Sequence, residues 1–110
     1  MNEIIGSFYL KKAGDRKLSG EFTNNTRFTL STERCELVEA GNEPFLGRYN
    51  SYWHIGDNDY TAVLIISFID HAENKNVKYK LTWFMDDKLM YEGEAILVDD
   101  MLIGHYLALF

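Results

Sequence analysis

Hydrophobic and polar residues alternate along most of this chain, most clearly in its last third, Val77 to Phe110. Val77, Tyr79, Leu81, Trp83 and Met85 occupy alternate positions, with Lys78, Lys80, Thr82 and Phe84 between them. Side chains of a strand point alternately to opposite faces, so the pattern predicts a half-buried strand with the first set inward. Asp86-Asp87-Lys88 interrupts it with turn-forming residues. The next strand sets Leu89, Tyr91, Gly93, Ala95 and Leu97 inward, against Met90, Glu92, Glu94, Ile96 and Val98. A loop of three residues keeps the inward sets on one side and pairs Trp83 with Tyr91 and Leu81 with Gly93. Asp99-Asp100 is then a two-residue hairpin turn that sets Val98 opposite Met101. Counting back, Leu97 faces Leu102, Gly93 faces Tyr106 and Glu94 faces His105. The last strand turns Leu102, Gly104, Tyr106, Ala108 and Phe110 inward. A ring laid over a cross-strand glycine fills the hole left by the missing side chain.

The same period runs through the first part of the chain. Ile4, Gly6, Phe8 and Leu10 share a face, with Ser7, Tyr9 and Lys11 opposite, and Ala13-Gly14-Asp15 is a turn. Leu18, Gly20 and Phe22 follow, and folding about Gly14 places Phe8 opposite Gly20 and Phe22 opposite Gly6. Asn24-Asn25 is the next turn. Phe28 and Leu30 read as strand. Two readings stay open for Glu33 to Ala40: a short helix capped by Ser31 or Thr32 and stopped by Gly41, or a strand with Cys35 and Leu37 on one side, which is preferred. Pro44 opens a long strand with Phe45, Gly47, Tyr49, Ser51, Trp53 and Ile55 inward. Gly56-Asp57-Asn58-Asp59 is a loop. Tyr60 to Ile69 is apolar on both faces, and its β-branched residues favour strand. His71 to Asn76 turns the chain back.

These seven or eight strands, of 6 to 11 residues each, are joined by short turns without helical connections. The expectation is an all-β fold, an antiparallel up-and-down barrel forming a single domain over residues 1–110. Inward glycines at Gly6, Gly20, Gly47, Gly93 and Gly104 suit the bends of a small barrel. A glycine-x-aromatic pattern recurs at Gly6-Ser7-Phe8, Gly20-Glu21-Phe22, Gly47-Arg48-Tyr49 and Gly104-His105-Tyr106.

Leu18-Ser19-Gly20-Glu21-Phe22, Phe45-Leu46-Gly47-Arg48-Tyr49-Asn50-Ser51 and Thr82-Trp83 together resemble the avidin-like and lipocalin-like barrels, the calycin group. The resemblance spans most of the chain through short motifs and implies a ligand-binding barrel. It does not extend to biotin, because Leu10 and Lys11 stand where avidins carry polar residues at the end of their first strand.

Composition narrows the function. A length of 110 residues can bury a modest core, and 15% aromatic residues with one proline exclude disorder. A net charge of −6, from 11 basic and 17 acidic residues, argues against nucleic acid and against an anionic membrane surface. The single cysteine, Cys35, cannot form an intrachain disulfide, and its expected role is buried packing. The first ten residues include Glu3 and no basic cluster ahead of an apolar run, and the run Ala62 to Ile66 is too short to span a bilayer. A soluble cytoplasmic protein is expected.

The inward aromatic set is Tyr49, Trp53, Tyr60, Tyr79, Trp83, Tyr91 and Tyr106, together with Ser51. Rings that make apolar contact and hydroxyls that orient a ligand describe a pocket wall, with Tyr49, Trp53, Trp83 and Tyr106 expected around one cavity. The alternative is a barrel filled by its own side chains. The outward face is lopsided: Val63, Ile65, Ile69, Phe84, Met90, Ile96, Ile103, Leu107 and Leu109 are expected to merge into an apolar patch that supports a homo-oligomer. Lys80 with Glu94, and Glu94 with His105, are expected to pair near it. Asp57, Asp59, Asp86 and Asp87 could gather at one mouth, but their spacing fits no calcium loop and aspartate is a common turn residue. His54, His71 and His105 fall outward or in turns, so no metal site or general base is expected from them. No motif asks for a cofactor.

Three functions fit. The first is a small-molecule-binding barrel for an apolar or aromatic ligand with a polar group. The second is a protein-interaction module with a filled barrel, such as an inhibitor or immunity-type protein. The third, an enzyme, needs a titratable group inside the barrel, where this register places only tyrosines.

Overall fold

Eight antiparallel strands close into a barrel in the computed structural model, each paired with its neighbours in sequence and the last with the first. Residues 3–69 and 78–110 are described. The expected turn His71 to Asn76 and the strand start at Val77 lie outside them. The strands are β1 (Ile5–Lys12), β2 (Lys17–Asn24), β3 (Ser31–Ala40), β4 (Gly47–Ile55), β5 (Asn58–Phe68), β6 (Tyr79–Met85), β7 (Lys88–Val98) and β8 (Met101–Ala108). No helix among the described residues is long and apolar enough to cross a membrane.

Turn chemistry sets the registers. Asp99 and Asp100 both take positive φ (49° and 62°), the two-residue geometry whose twist matches a hairpin. The pairs Val98–Met101, Leu97–Leu102, Gly93–Tyr106 and Glu94–His105 follow as expected. Asp86 and Asp87 make the same kind of turn (φ 52° and 63°). That turn is one residue shorter than expected, but a register shift at Trp83/Phe84 restores the pairs Trp83–Tyr91 and Leu81–Gly93.

The first hairpin departs from expectation. Ala13 N–H donates to the Lys17 carbonyl at 3.0 Å, closing a three-residue loop in which Arg16 takes φ 61°. The fold axis therefore falls beyond Gly14. Phe8 faces Phe22, Leu10 faces Gly20 and Gly6 faces Asn24. The ring over Gly6 belongs to Tyr106 of β8, its partner across the barrel closure. A Cβ on Gly6 would stand 2.2 Å from that ring and 2.5 Å from the Thr23 carbonyl oxygen.

Glu33 to Ala40 is strand, within β3. Phe28 and Leu30 are not strand; they lie exposed in the β2–β3 connection. There the Asn24 side-chain oxygen accepts from Thr26 N–H and Oγ1, and Thr23 Oγ1 donates to the Thr29 carbonyl. β4 begins at Gly47, after a connection in which Phe45 is buried with φ 73°. Leu97 and Phe110, expected inward, are 46% and 67% exposed. Leu97 lies beyond the β6–β7 pair Tyr79–Ala95, and Phe110 follows the end of β8.

Alternation holds through the middle of the barrel. Leu10, Leu64, Ile66, Leu81 and Leu102 are fully buried, each worth about 1.5–3 kcal/mol against exposure. Outside, the apolar residues form two groups. Val63 pairs with Phe84, and Ile96 with Ile103. Between them, Ser67, Lys80, Glu94, His105 and Ser7 follow one another across the registers of β5 to β8 and β1 as a polar row. The expected single patch is thus divided. Lys80 does face Glu94, but the ion pairs run diagonally: Lys78 Nζ to Glu94 Oε1 at 2.7 Å and Lys80 Nζ to Glu92 Oε1 at 3.6 Å. Lys78, followed by His105 and Lys80, holds the Glu94 carboxyl below its ordinary pKa despite slight desolvation. These pairs are exposed and add little stability.

Candidate functional site

The two ends of the barrel differ. The β3–β4 connection, the end of β5 and the start of β6 meet at one end, which is shut. Tyr49 Oη donates to the Phe45 carbonyl at 2.9 Å, satisfying its hydroxyl away from water. Burial pushes the Tyr49 pKa up to about 12. The Tyr79 ring packs against Phe45 and Phe68, with centroids 6.4 and 5.0 Å apart. Tyr49 and Tyr79 are therefore core, outside the cavity lining.

The other end is open, and a cavity of about 360 Å³ enters the barrel there. The β2–β3 connection and the two chain termini meet at this end, contributing Asn24, Thr26, Arg27, Ile4 and Phe110 to the lining. Its wall is Phe8, Phe22, Trp53, Trp83, Tyr91 and Tyr106. The rings support one another edge to face: Phe8 on Trp83 at 5.6 Å, Phe22 on Trp53 at 6.1 Å and Tyr91 on Tyr106 at 5.7 Å. Tyr60 stacks on Trp53 at 5.8 Å but does not line the cavity. Of the eight residues expected to wall a pocket, the structure brings Trp53, Trp83, Tyr91 and Tyr106 to this cavity and keeps Tyr49, Ser51, Tyr60 and Tyr79 out of its lining.

Glu33 is the residue the sequence reading missed. It is 3% exposed, faces Trp53 across the β3–β4 pair and lines the cavity. Its Oε2 accepts from Ser51 Oγ at 2.6 Å, from Trp83 Nε1 at 2.8 Å and from Cys35 Sγ at 3.7 Å. Ser51 thus acts behind the cavity, holding the carboxyl. All three bonds fall on one oxygen. None of these bonds uses Oε1, and Glu33 lines the cavity. The barrel interior therefore does hold a titratable group other than tyrosine. The signal was present: Ser31, Glu33, Cys35 and Leu37 share one parity, and all four turn inward once this segment is a strand.

Electrostatics mark the same spot. Burial raises the Glu33 pKa above its ordinary value, outweighing the bonds from Ser51, Trp83 and Cys35 that favour the anion. Burial, then the nearby Glu33 charge, pushes the Cys35 thiol well up, so this cysteine is an inert packing residue. Tyr91 and Tyr106 are raised, chiefly by burial. The Tyr106 hydroxyl accepts from Asn24 Nδ2 and donates to the Thr23 carbonyl, both at 3.2 Å. Arg27 carries a buried Nη1 with no partner among the described residues. A carboxyl with one oxygen anchored, lining an aromatic cavity, can bind a donor or hold a proton. No group of three or more His, Cys, Asp or Glu among the described residues could hold a metal ion. His54 bonds to Asp59 at the exposed surface.

No protein-family model matches this chain, and no curated protein or solved structure matches it.

Proposed function

We propose that this protein binds a small molecule inside its barrel, as calycin-like barrels do. The ligand is apolar or aromatic with a polar group. The observation that carries this reading is the cavity itself: about 360 Å³, walled by six aromatic rings and lined by one buried carboxyl whose bonds all fall on one of its two oxygens. That volume lies at the lower end of the range for small-molecule sites, and convergent rings with few polar atoms are their usual lining. A buried carboxylate paired with no cation costs stability, and such costs are kept where a group has a task. Binding is favoured over catalysis because the only thiol among the described residues, Cys35, is tied to Glu33, and the cavity tyrosines are held in their neutral form. The cavity is what favours this reading over the runner-up, an interaction module with a filled barrel.

We also propose a cytoplasmic setting, supported by the unpaired Cys35, and self-association through the outward apolar residues Val63, Ile65, Ile69, Phe84, Ile96, Ile103 and Leu107. Native mass spectrometry tests the binding reading. The expected result is a small-molecule adduct on freshly purified protein, or a saturable one-to-one adduct when benzyl alcohol is added to empty protein. Protein that carries no adduct and takes up none would overturn it.

A further inference from the structure

The cavity lining contains two charged residues, and they have opposite signs. Glu33 stands on β3, inside the barrel; Arg27 stands in the β2–β3 connection, at the open end. Neither is neutralised by a protein partner among the described residues. The bonds to Glu33 come from neutral donors and all fall on Oε2. Arg27 Nη1 is buried without a partner, and Nη2 reaches Thr29 Oγ1 only at 3.5 Å. Among the other polar groups of the lining, Asn24 is spent on Thr26 and Tyr106, and Tyr106 on Asn24 and Thr23, which leaves the neutral Tyr91 hydroxyl and Trp53 indole N–H beside the two charges. The cavity's charged groups are thus one acid deep inside and one cationic donor at the mouth.

We propose that the ligand is a two-ended zwitterion, with an ammonium on Glu33 at the inner end, an apolar or aromatic body against the rings, and a carboxylate on Arg27 at the mouth. This rests on the small-molecule reading and names its ligand class. A ligand with one charge leaves the other cavity charge uncompensated in a low-dielectric space, whereas a zwitterion matches both. The inner rings suit the cationic end as well, since an ammonium is attracted to aromatic faces. Hydrogen bonds between charged groups are the strong ones, so each end contributes to selection as well as to affinity.

Four probes that share a benzyl or phenyl body test this by titration of tryptophan fluorescence: para-(aminomethyl)benzoate, benzylamine, benzoate and benzyl alcohol. The expected result is that para-(aminomethyl)benzoate binds at least about tenfold more tightly than either singly charged probe. Glu33→Gln lowers affinity for the two amines by about tenfold or more and spares benzoate. Arg27→Gln lowers affinity for the two carboxylates and spares benzylamine. If Glu33→Gln does not fold, the wild-type series and Arg27→Gln still decide. Benzyl alcohol binding as tightly as the zwitterion would overturn the ligand class while leaving the binding reading standing. Failure of all four probes to bind would overturn both.

Discussion

Trp83 Nε1 donates to Glu33 Oε2 at 2.8 Å, joining β6 to β3 across the inside of the barrel. Fifty residues separate the two in sequence, and their strands are not neighbours. The bond spans the barrel lumen, holds the indole that packs edge to face on Phe8, and leaves the other carboxyl oxygen out of the bonds that anchor Glu33 at the cavity. The site depends on a buried acid that the fold alone does not need.

That acid gives stability a pH dependence. Glu33 holds its proton more tightly folded than unfolded, so its contribution is fully present below the ordinary carboxylate pKa and is lost as pH rises through its raised folded value. Ser51, Cys35 and Trp83 bond to it, and Tyr106 and Arg27 line the same cavity. Glu33→Gln keeps an acceptor for Ser51 and Trp83 and has no charge to bury. Relative to wild type it should gain stability, on the order of 1 kcal/mol, as pH rises from the ordinary carboxylate pKa of about 4 into the neutral range. Urea melts across that range check the sign; a variant that loses ground as pH rises would contradict it.

Gly6 is a packing position. Any side chain there meets the Tyr106 ring and the Thr23 carbonyl. The ring is itself held by bonds to Asn24 and Thr23, so it cannot swing aside freely. Gly6→Ala should cost about 2–3 kcal/mol by denaturant melt and weaken binding by displacing a cavity wall. Gly14, whose added Cβ would meet nothing within 4 Å, is a contrast in space alone, since its φ of 128° strains any replacement.

Phe28 is 107% exposed and touches no core. Phe28→Ser should change stability by less than about 0.5 kcal/mol. A larger loss in a thermal melt would show that this connection packs on the barrel.

Ile96 and Ile103 face each other on the outer surface, 54% and 40% exposed, on one side of the polar row, while Leu107 faces Ile5 on the other side, beyond His105. Light scattering at micromolar protein should give a mass of at least two chains, and Ile103→Lys should return the monomer. A monomeric wild type would rule out self-association through this face.

The barrel was legible because a period of two survives in nearly every strand and because aspartate pairs and glycines mark the turns. Registers were legible only where the loop length was fixed: Asp99-Asp100 allowed one pairing, whereas the turn near Gly14 depended on Arg16 adopting positive φ, which composition does not reveal. Trp53, Trp83, Tyr91 and Tyr106 were placed inward by alternation alone. Alternation could not separate them from Tyr49 and Tyr79, because position along the barrel axis depends on strand stagger. Glu33 was hidden for two reasons. Its segment was balanced between helix and strand, and a glutamate is ordinarily a surface residue, so its parity with Cys35 carried no weight until Ser51 and Trp83 were seen to receive it.

The most direct test of the cavity uses its own two indoles. Trp53 and Trp83 both line it, and only Trp83 bonds to Glu33. In a proton–nitrogen correlation spectrum each gives one side-chain N–H signal. Titration with para-(aminomethyl)benzoate, benzylamine, benzoate and benzyl alcohol in turn should shift both signals along a saturating curve with at least the first, with Trp83→Phe identifying which is which. Indole signals that stay in place, or drift linearly with no saturation, would contradict a ligand-binding interior.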